Sequence, residues 1–130
     1  MADFTEIIKR LKFNKDGLIP AVAQDIDSGE VVMVAYMNEE SIIKTLKEKK
    51  ACYYSRSRRK LWTKGEQSGN FQEVKQVLID CDADTVLLKI KQHGGACHEG
   101  YFSCFFRKIN DKGEIEIIKE KIFDKNKVYK

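Results

Sequence analysis

The segment LIPAVAQDIDSGEVVMVAYM, residues 18–37, decides the fold. Residues 18–27 predict a strand, with Pro20 near its start, where a missing backbone N–H is tolerated. Asp-Ser-Gly-Glu at 27–30 is typical of a tight turn, and the apolar run at 31–37 predicts a second, more buried strand. We therefore predict a β-hairpin here.

Helices and further strands are predicted on both sides of this hairpin. Apolar residues at helical spacing predict a short amphipathic helix over residues 3–12. Asn38 can cap a second helix that runs to about Lys49 and has acidic residues in its first turn. Further strands are predicted at 51–56, 74–84, 85–92, 101–107 and 114–118. We expect one α+β domain over residues 1–130, mainly an antiparallel β-sheet with two or three short helices.

The composition is that of a folded domain, with 42% hydrophobic and 34% charged residues among 130. No apolar run approaches the roughly 18 residues of a membrane span. The N-terminus carries acidic residues where a signal peptide would carry basic ones. We therefore expect a cytoplasmic protein without a membrane partner. Its four cysteines would stay reduced and be available to a metal or to catalysis.

Positive charge is concentrated in one part of the chain. The net charge is +4, but residues 44–64 contain nine basic residues and one acidic residue. Such a block attracts anions, either phosphate or nucleic acid. Basic side chains can bind phosphate, an indole can pack on a base, and turn residues let the backbone approach a ligand. The candidate contacts are Arg56, Arg58, Trp62, Lys64, Gly65, Ser68 and Asn70. A solvated basic surface and an RNA-binding patch are the alternatives.

Three aspartates alternate in the sequence DCDAD at 80–84. In a strand, alternate side chains share a face, so Asp80, Asp82 and Asp84 would lie together and Cys81 would point away. Adjacent carboxylates repel one another unless a cation lies among them, and hard oxygen ligands suit Mg²⁺. The sequence thus predicts a magnesium site on a strand, with an exposed acidic strand end as the alternative.

Cys81, Cys97 and Cys104 form a candidate zinc set. A continuous helix would place Cys97 and Cys104 about 10 Å apart along its axis, so the segment must bend for both to bind one ion. Three cysteines leave a fourth position for water or His98, which is the arrangement of catalytic zinc sites. Buried core cysteines are the alternative, and we expect that role for Cys52.

Four motifs, and the order in which they occur, resemble those of the phosphoribosyl-AMP cyclohydrolase family of histidine biosynthesis. They are AYMN at 35–38, YSRSRRKLWTKGEQSGN at 54–70, DCDAD at 80–84 and ACHEGYFSCFF at 96–106. The resemblance covers about residues 18–107, and we expect no fused pyrophosphohydrolase domain after it. It implies a metal-dependent hydrolase that uses zinc-activated water to open the adenine ring of N1-(5-phosphoribosyl)-AMP at the N1–C6 bond. The product would be the phosphoribosyl-formimino-AICAR nucleotide.

The resemblance also implies roles for individual residues in an intertwined homodimer. Zinc would be bound by cysteines drawn from both subunits, namely Cys81, Cys97 and Cys104. Magnesium would be bound by Asp80, Asp82 and Asp84. His98 would move the proton, and phosphate would contact Arg56, Arg58 and Lys64. The alternatives are a zinc-stabilised nucleic-acid-binding protein that uses residues 44–64, and a purely structural zinc protein.

Overall fold

The computed structural model describes residues 3–124 and 126. Its helices are α1 (Thr5–Arg10) and α2 (Glu39–Glu48). Its strands are β1 (Ile19–Asp25), β2 (Val31–Met37), β3 (Cys52–Ser55), β4 (Lys60–Thr63), β5 (Gln72–Ile79), β6 (Val86–Gln92), β7 (Arg107–Ile109) and β8 (Ile115–Ile117). This confirms the α+β prediction.

Six strands form one sheet in the order β4-β3-β2-β1-β6-β5, and β7 pairs with β8 separately. The predicted hairpin is confirmed, with Ile19 opposite Met37 in the antiparallel β1–β2 pair. The β1–β6 pair is parallel, whereas the other pairs are antiparallel. The start of β5 also bonds to the segment that leads into β3, because Ala51 N donates to the Gln72 carbonyl at 3.0 Å. The sheet therefore curls until its β5 edge approaches β3.

The helices cover this curled sheet. Asn38 caps α2 as predicted: its Oδ1 accepts a hydrogen bond from Ser41 N, and its own N–H donates to Ser41 Oγ, both at 2.8 Å. Ile42 of α2 and Ile8 of α1 enter the core, where they meet apolar residues of β1 and β6. No helix in the described residues is long and apolar enough to cross a membrane.

Some local predictions were wrong. Residues 80–84 form the turn between β5 and β6 and are not a strand. Residues 101–106 are irregular, so the strand predicted at 101–107 begins only at Arg107. Residues 60–63, where no strand is predicted, form β4. Strand formation depends on pairing as well as on local preference. Residues 60–63 pair with β3, whereas residues 80–84 and 101–106 are not part of a paired strand.

A buried polar network connects the two sides of the curled sheet. Tyr53, which is fully buried, donates through its hydroxyl to Gln72 Oε1 at 2.6 Å. The Gln72 side-chain nitrogen in turn donates to Gln92 Oε1 at 2.8 Å. Burial raises the pKa of Tyr53, so its hydroxyl remains a donor at neutral pH. The network joins β3, β5 and β6 inside the core.

We expect Tyr53→Phe to lower the free energy of unfolding by about 1–3 kcal/mol, because the buried Gln72 oxygen loses its donor. Urea unfolding followed by circular dichroism measures this change. Tyr54→Phe, on the half-exposed neighbouring position, is the matched control and should have a much smaller effect. Equal effects of the two substitutions would contradict the importance of this hydrogen bond.

Candidate active site

The three aspartates come together in the β5–β6 turn. Asp80 Oδ1 accepts hydrogen bonds from Asp84 N at 3.0 Å and Thr85 N at 3.2 Å, which closes the turn around its side chain. Ala83 adopts the left-handed conformation at φ 60°. One carboxylate oxygen from each of Asp80, Asp82 and Asp84 lies within 4.8 Å of the others. The turn thus groups the carboxylates that strand alternation was expected to group.

Proximity also affects the titration of these carboxyl groups. Hydrogen bonds with Asp82 and Asp80, together with their negative charges, raise the pKa of Asp84. Desolvation acts to raise the pKa of Asp80, but hydrogen bonds from Asp84 and Thr85 outweigh it and lower that pKa. A lowered pKa at Asp80 and a raised pKa at Asp84 are expected where two carboxylates are held close together.

The cysteine loop, residues 93–106, follows β6. Cys97 N donates to the Tyr101 carbonyl at 3.1 Å, and Gly100 N donates to the Cys97 carbonyl at 3.1 Å. Gly100 has φ +110°, and a Cβ there would collide with the backbone of Phe123. The loop therefore makes the predicted bend between Cys97 and Cys104, in a form that requires glycine at position 100.

Hydrogen bonds to β2 fix the end of the cysteine loop. Cys104 N donates to the Val32 carbonyl at 2.7 Å, and the buried Ser103 donates through Oγ to the Val31 carbonyl at 2.8 Å. Sequence reasoning did not identify Ser103. A serine between aromatic and cysteine residues was the only signal, and it does not reveal a partner 72 positions away.

The Cys97 and Cys104 thiols are neighbours. Cys97 is buried, and Cys104 is exposed as a residue although its thiol is partly enclosed. Burial raises the pKa of Cys104 to about 11, with a contribution from the nearby Cys97, while the positive charge of Lys64 opposes the rise. Two soft sulfur donors in contact suit a zinc ion.

Cys81 lies far from this pair. It is exposed in the β5–β6 turn, before β6 begins, whereas Cys97 follows the end of β6. A strand rises about 3.3 Å per residue, so the length of β6 alone separates the two ends by about 20 Å. In the described residues, Asp80, Asp82 and Asp84 form the only group of three or more His, Cys, Asp or Glu side chains close enough to hold an ion. One chain therefore does not bring the three cysteines together.

A concave surface lies beside the β3–β4 hairpin. It is lined by Arg58, Lys60, Trp62, Thr63, Lys64, Gly65, Glu66, Gln67 and Ser68. Five of the seven predicted substrate contacts are in this set. Gly65 has φ +89°, and a Cβ there would collide with the backbone of Phe71, so the loop can close only with glycine.

Two predicted contacts lie outside this surface lining. The Arg56 guanidinium packs over the Tyr36 ring, 4.2 Å from its centroid. Asn70 Nδ2 is buried and has no hydrogen-bond partner in the described part of the chain. The AYMN motif thus supplies a support for Arg56 that sequence reasoning did not identify.

Residues 44–64 do not form one uniform basic surface. Lys44 and Lys47 belong to α2, Arg58 and Arg59 lie in the β3–β4 turn, and Lys64 is buried. The Lys64 ammonium donates to the Ala96 carbonyl at 2.5 Å. Its burial was not predictable from a run of charged residues.

His98 is exposed in the turn at 97–100. Its position next to Cys97 places it at the rim of the cysteine loop. Apart from Arg56 and Asn70, the predicted site residues therefore occupy three places: the aspartate turn, the cysteine loop and the concave surface.

Comparison with known sequences identifies relatives over nearly the whole chain. The phosphoribosyl-AMP cyclohydrolase family model matches residues 33–106. The phosphoribosyl-AMP cyclohydrolase of Chloroherpeton thalassium is 59% identical over 92% of this chain and 86% of its own length. That of Chlorobium chlorochromatii is 54% identical over 95% and 90%, and that of Chlorobaculum tepidum is 56% identical over 94% and 89%. With its aspartate turn and cysteine loop inside the matched region, this chain belongs to the phosphoribosyl-AMP cyclohydrolase family of enzymes.

Proposed function

We propose that this protein hydrolyses the N1–C6 bond of the adenine ring in N1-(5-phosphoribosyl)-AMP, in histidine biosynthesis. Relatives at 54–59% identity carry the name of this activity. The structural observation that carries the proposal is the paired thiols of Cys97 and Cys104, held close to a concave surface rich in phosphate-binding residue types. Lys64 contributes to both places, since it lines the surface and bonds to Ala96.

The donors at the cysteine loop fit zinc. Cys97 and Cys104 would supply two thiolates, and a third would come from Cys81. Bound zinc would supply a Lewis acid and lower the pKa of a water molecule toward neutrality. Hydrogen bonds from Ser103 Oγ and Cys104 N to β2 fix the end of the loop that carries the Cys104 thiol.

A second copy of the chain would supply the third thiolate, because β6, about 20 Å long, lies between the turn that carries Cys81 and the loop that carries Cys97. The β7–β8 hairpin supports a homodimer. Ile109 and Ile115 are cross-strand partners, and both they and Ile117 are more than 60% exposed. An isolated hairpin of two strands is marginal in water, so an apolar face on it favours burial against a partner. Cys104 lines the same hollow as Ile109 and Ile115, which makes the hairpin continuous with the proposed shared site.

The aspartate turn fits magnesium. Its three carboxylates, from Asp80, Asp82 and Asp84, are hard oxygen donors grouped on an exposed turn. A dimer that brings Cys81 to the partner's cysteine loop would bring this turn along with it. Magnesium there would neutralise the carboxylates and orient the oxygens of the substrate.

The substrate carries two phosphates and an adenine ring, and the concave surface offers matching groups. Arg58 and Arg56 would bind phosphate, while Trp62 would pack against a ring. Gly65 and Ser68 would donate hydrogen bonds from the backbone and the hydroxyl. Asn70 Nδ2, buried without a partner in the described residues, is a donor that a ligand can satisfy.

His98 would move the proton. Exposed in the turn beside Cys97, it would accept a proton from the attacking water and return one to the nitrogen released from C6. Water addition at C6 followed by cleavage of the N1–C6 bond opens the six-membered ring. The two loops at either end of β6 therefore take separate roles, with hydrolysis at the cysteine loop and substrate orientation at the aspartate turn.

The activity is tested by adding N1-(5-phosphoribosyl)-AMP to purified protein and following the ring-opening change in ultraviolet absorbance. A strong chelator should abolish turnover, and zinc with magnesium should restore it. Cys97→Ser should lose bound zinc and lower kcat/KM by at least on the order of a hundredfold, because metal catalysis supplies several kcal/mol.

Cys52→Ala is the matched control, since Cys52 is a buried cysteine on β3 and should leave the zinc content unchanged. Full activity and zinc content in Cys97→Ser would contradict the zinc assignment. Salt-sensitive RNA binding without turnover of the nucleotide would instead favour the nucleic-acid-binding alternative.

Subunit complementation tests the shared site. Cys81→Ser and Cys97→Ser should each be inactive alone, but mixed dimers would contain one site with neither substitution. After unfolding and refolding together, an equimolar mixture should regain about a quarter of wild-type activity, since half of the dimers are mixed and each has one intact site. If all three thiolates came from one chain, the mixture would stay inactive.

We expect Arg58→Gln to raise KM on the order of tenfold with a smaller change in kcat, because a charge-assisted phosphate contact is lost. Steady-state kinetics measures the two constants separately. Arg10→Gln on the exposed end of α1 removes the same charge far from the hairpin and is the control. An unchanged KM in Arg58→Gln would exclude this phosphate contact.

A further inference from the structure

Lys64 is buried to an extent that is rare for lysine, with only 7% of the residue exposed. It directly follows β4, and its backbone N–H donates to the Ala51 carbonyl at 3.0 Å. Removing an ammonium group from water is costly unless it gains hydrogen-bond partners. The burial of Lys64 therefore needs a specific compensating contact.

That contact is with the cysteine loop. Lys64 Nζ donates to the Ala96 carbonyl oxygen at 2.5 Å, and Ala96 directly precedes Cys97. Hydrogen bonds from a charged donor are stronger than those between neutral groups. Ala96 is itself buried, so its carbonyl has little access to water as a replacement donor. The bond ties the end of β4 to the backbone on which the Cys97 thiol is carried.

The same lysine also borders the concave surface. It lines that surface together with Arg58, Trp62 and Ser68. Its ammonium group is close enough to act electrostatically on the Cys104 thiol. Lys64 thus lines the concave surface, bonds to the residue before Cys97 and lies near the Cys104 thiol.

We propose that Lys64 is a positioning residue, which holds the Ala96–Cys97 backbone against β4 and so sets the metal ligands relative to the substrate surface. The inference rests on the proposed function, and it gives Lys64 a role other than the phosphate contact expected from the sequence. Three thiolates around one divalent ion carry excess negative charge, which a buried ammonium group nearby offsets. A small displacement of a catalytic group is enough to lower the rate strongly. The Lys64–Ala96 hydrogen bond, the anchor, would therefore affect catalysis without a contact between Lys64 and the substrate.

The test compares Lys64→Met, Lys64→Arg and the wild type after zinc is replaced by cobalt. Lys64→Met keeps an unbranched side chain as far as the ε position but removes the charged group and its donor. We expect it to weaken metal retention in competition with a chelator by about 10- to 100-fold, as loss of an outer contact to a metal site does. The thiolate-to-cobalt and d–d absorption bands should shift, and kcat should fall more than KM rises.

Lys64→Arg retains charge and donors and should recover part of the metal affinity and the cobalt spectrum. Lys47→Met, on the exposed face of α2, changes the net charge equally and should match the wild type. A phosphate contact by Lys64 predicts a different pattern: KM rises while the metal affinity and the cobalt spectrum stay unchanged. That pattern would overturn the inference.

Circular dichroism and the oligomeric state establish that each variant is folded. If Lys64→Met does not fold, Lys64→Gln, which is shorter and uncharged, is compared with Lys64→Arg in the same measurements. Wild-type cobalt spectra in Lys64→Gln would overturn the inference. Failure of the wild type to open the ring would contradict the proposed function, whereas the cobalt spectra test the anchor independently of turnover.

Discussion

The length of β6 is the constraint on which the rest of the structure depends. The aspartate turn precedes this strand and the cysteine loop follows it, so an extended backbone about 20 Å long lies between these two groups of side chains. A strand paired on both sides, parallel to β1 and antiparallel to β5, cannot shorten to bring them together. A single chain therefore presents three carboxylates and the Cys81 thiol at one end of β6 and the Cys97 and Cys104 thiols at the other, which is the reason for proposing a shared site.

The cysteine loop has little regular structure of its own, yet contacts from several directions hold it. Ser103 and Cys104 bond to β2, Lys64 bonds to Ala96, and Ile122 N donates to the Gly100 carbonyl at 2.7 Å. Most of these contacts involve backbone atoms, so they fix where the loop runs before any side chain is considered. Such support is what a metal site needs, because ligands must be held in place by their surroundings.

The features that could be predicted from the sequence depend on neighbours along the chain. Alternation and turn residues gave the hairpin at 18–37, and Asn38 gave the start of α2. The sequence predicts a strand at the aspartate segment because aspartates at every second position match the alternation of side chains in a strand. Instead, Asp80 accepts two backbone hydrogen bonds within its own turn, and this local bonding competes with strand pairing. The carboxylates were nevertheless grouped correctly, because a tight turn also gathers side chains.

Features that depend on distant pairing could not be predicted. Nothing near β1 in the sequence indicates that β6 lies beside it, and nothing near Lys64 indicates a carbonyl oxygen 32 positions later. The strand β4 is not predicted, since its short run of residues next to several charged side chains has no clear strand pattern. The resemblance to a family indicates which distant segments belong to one site, and local patterns of residues do not contain that information.

The position of β4 gives the basic hairpin a second consequence. β4 is an outer strand of the six-stranded sheet, and an outer strand exposes backbone groups to which another chain can add. Arg58, Arg59 and Lys60 lie exposed at the start of this edge. Repulsion between like charges on two molecules would oppose edge-to-edge association there, which protects the protein from aggregation. Side chains for which a phosphate contact is proposed would therefore also keep other copies of the chain from extending the sheet.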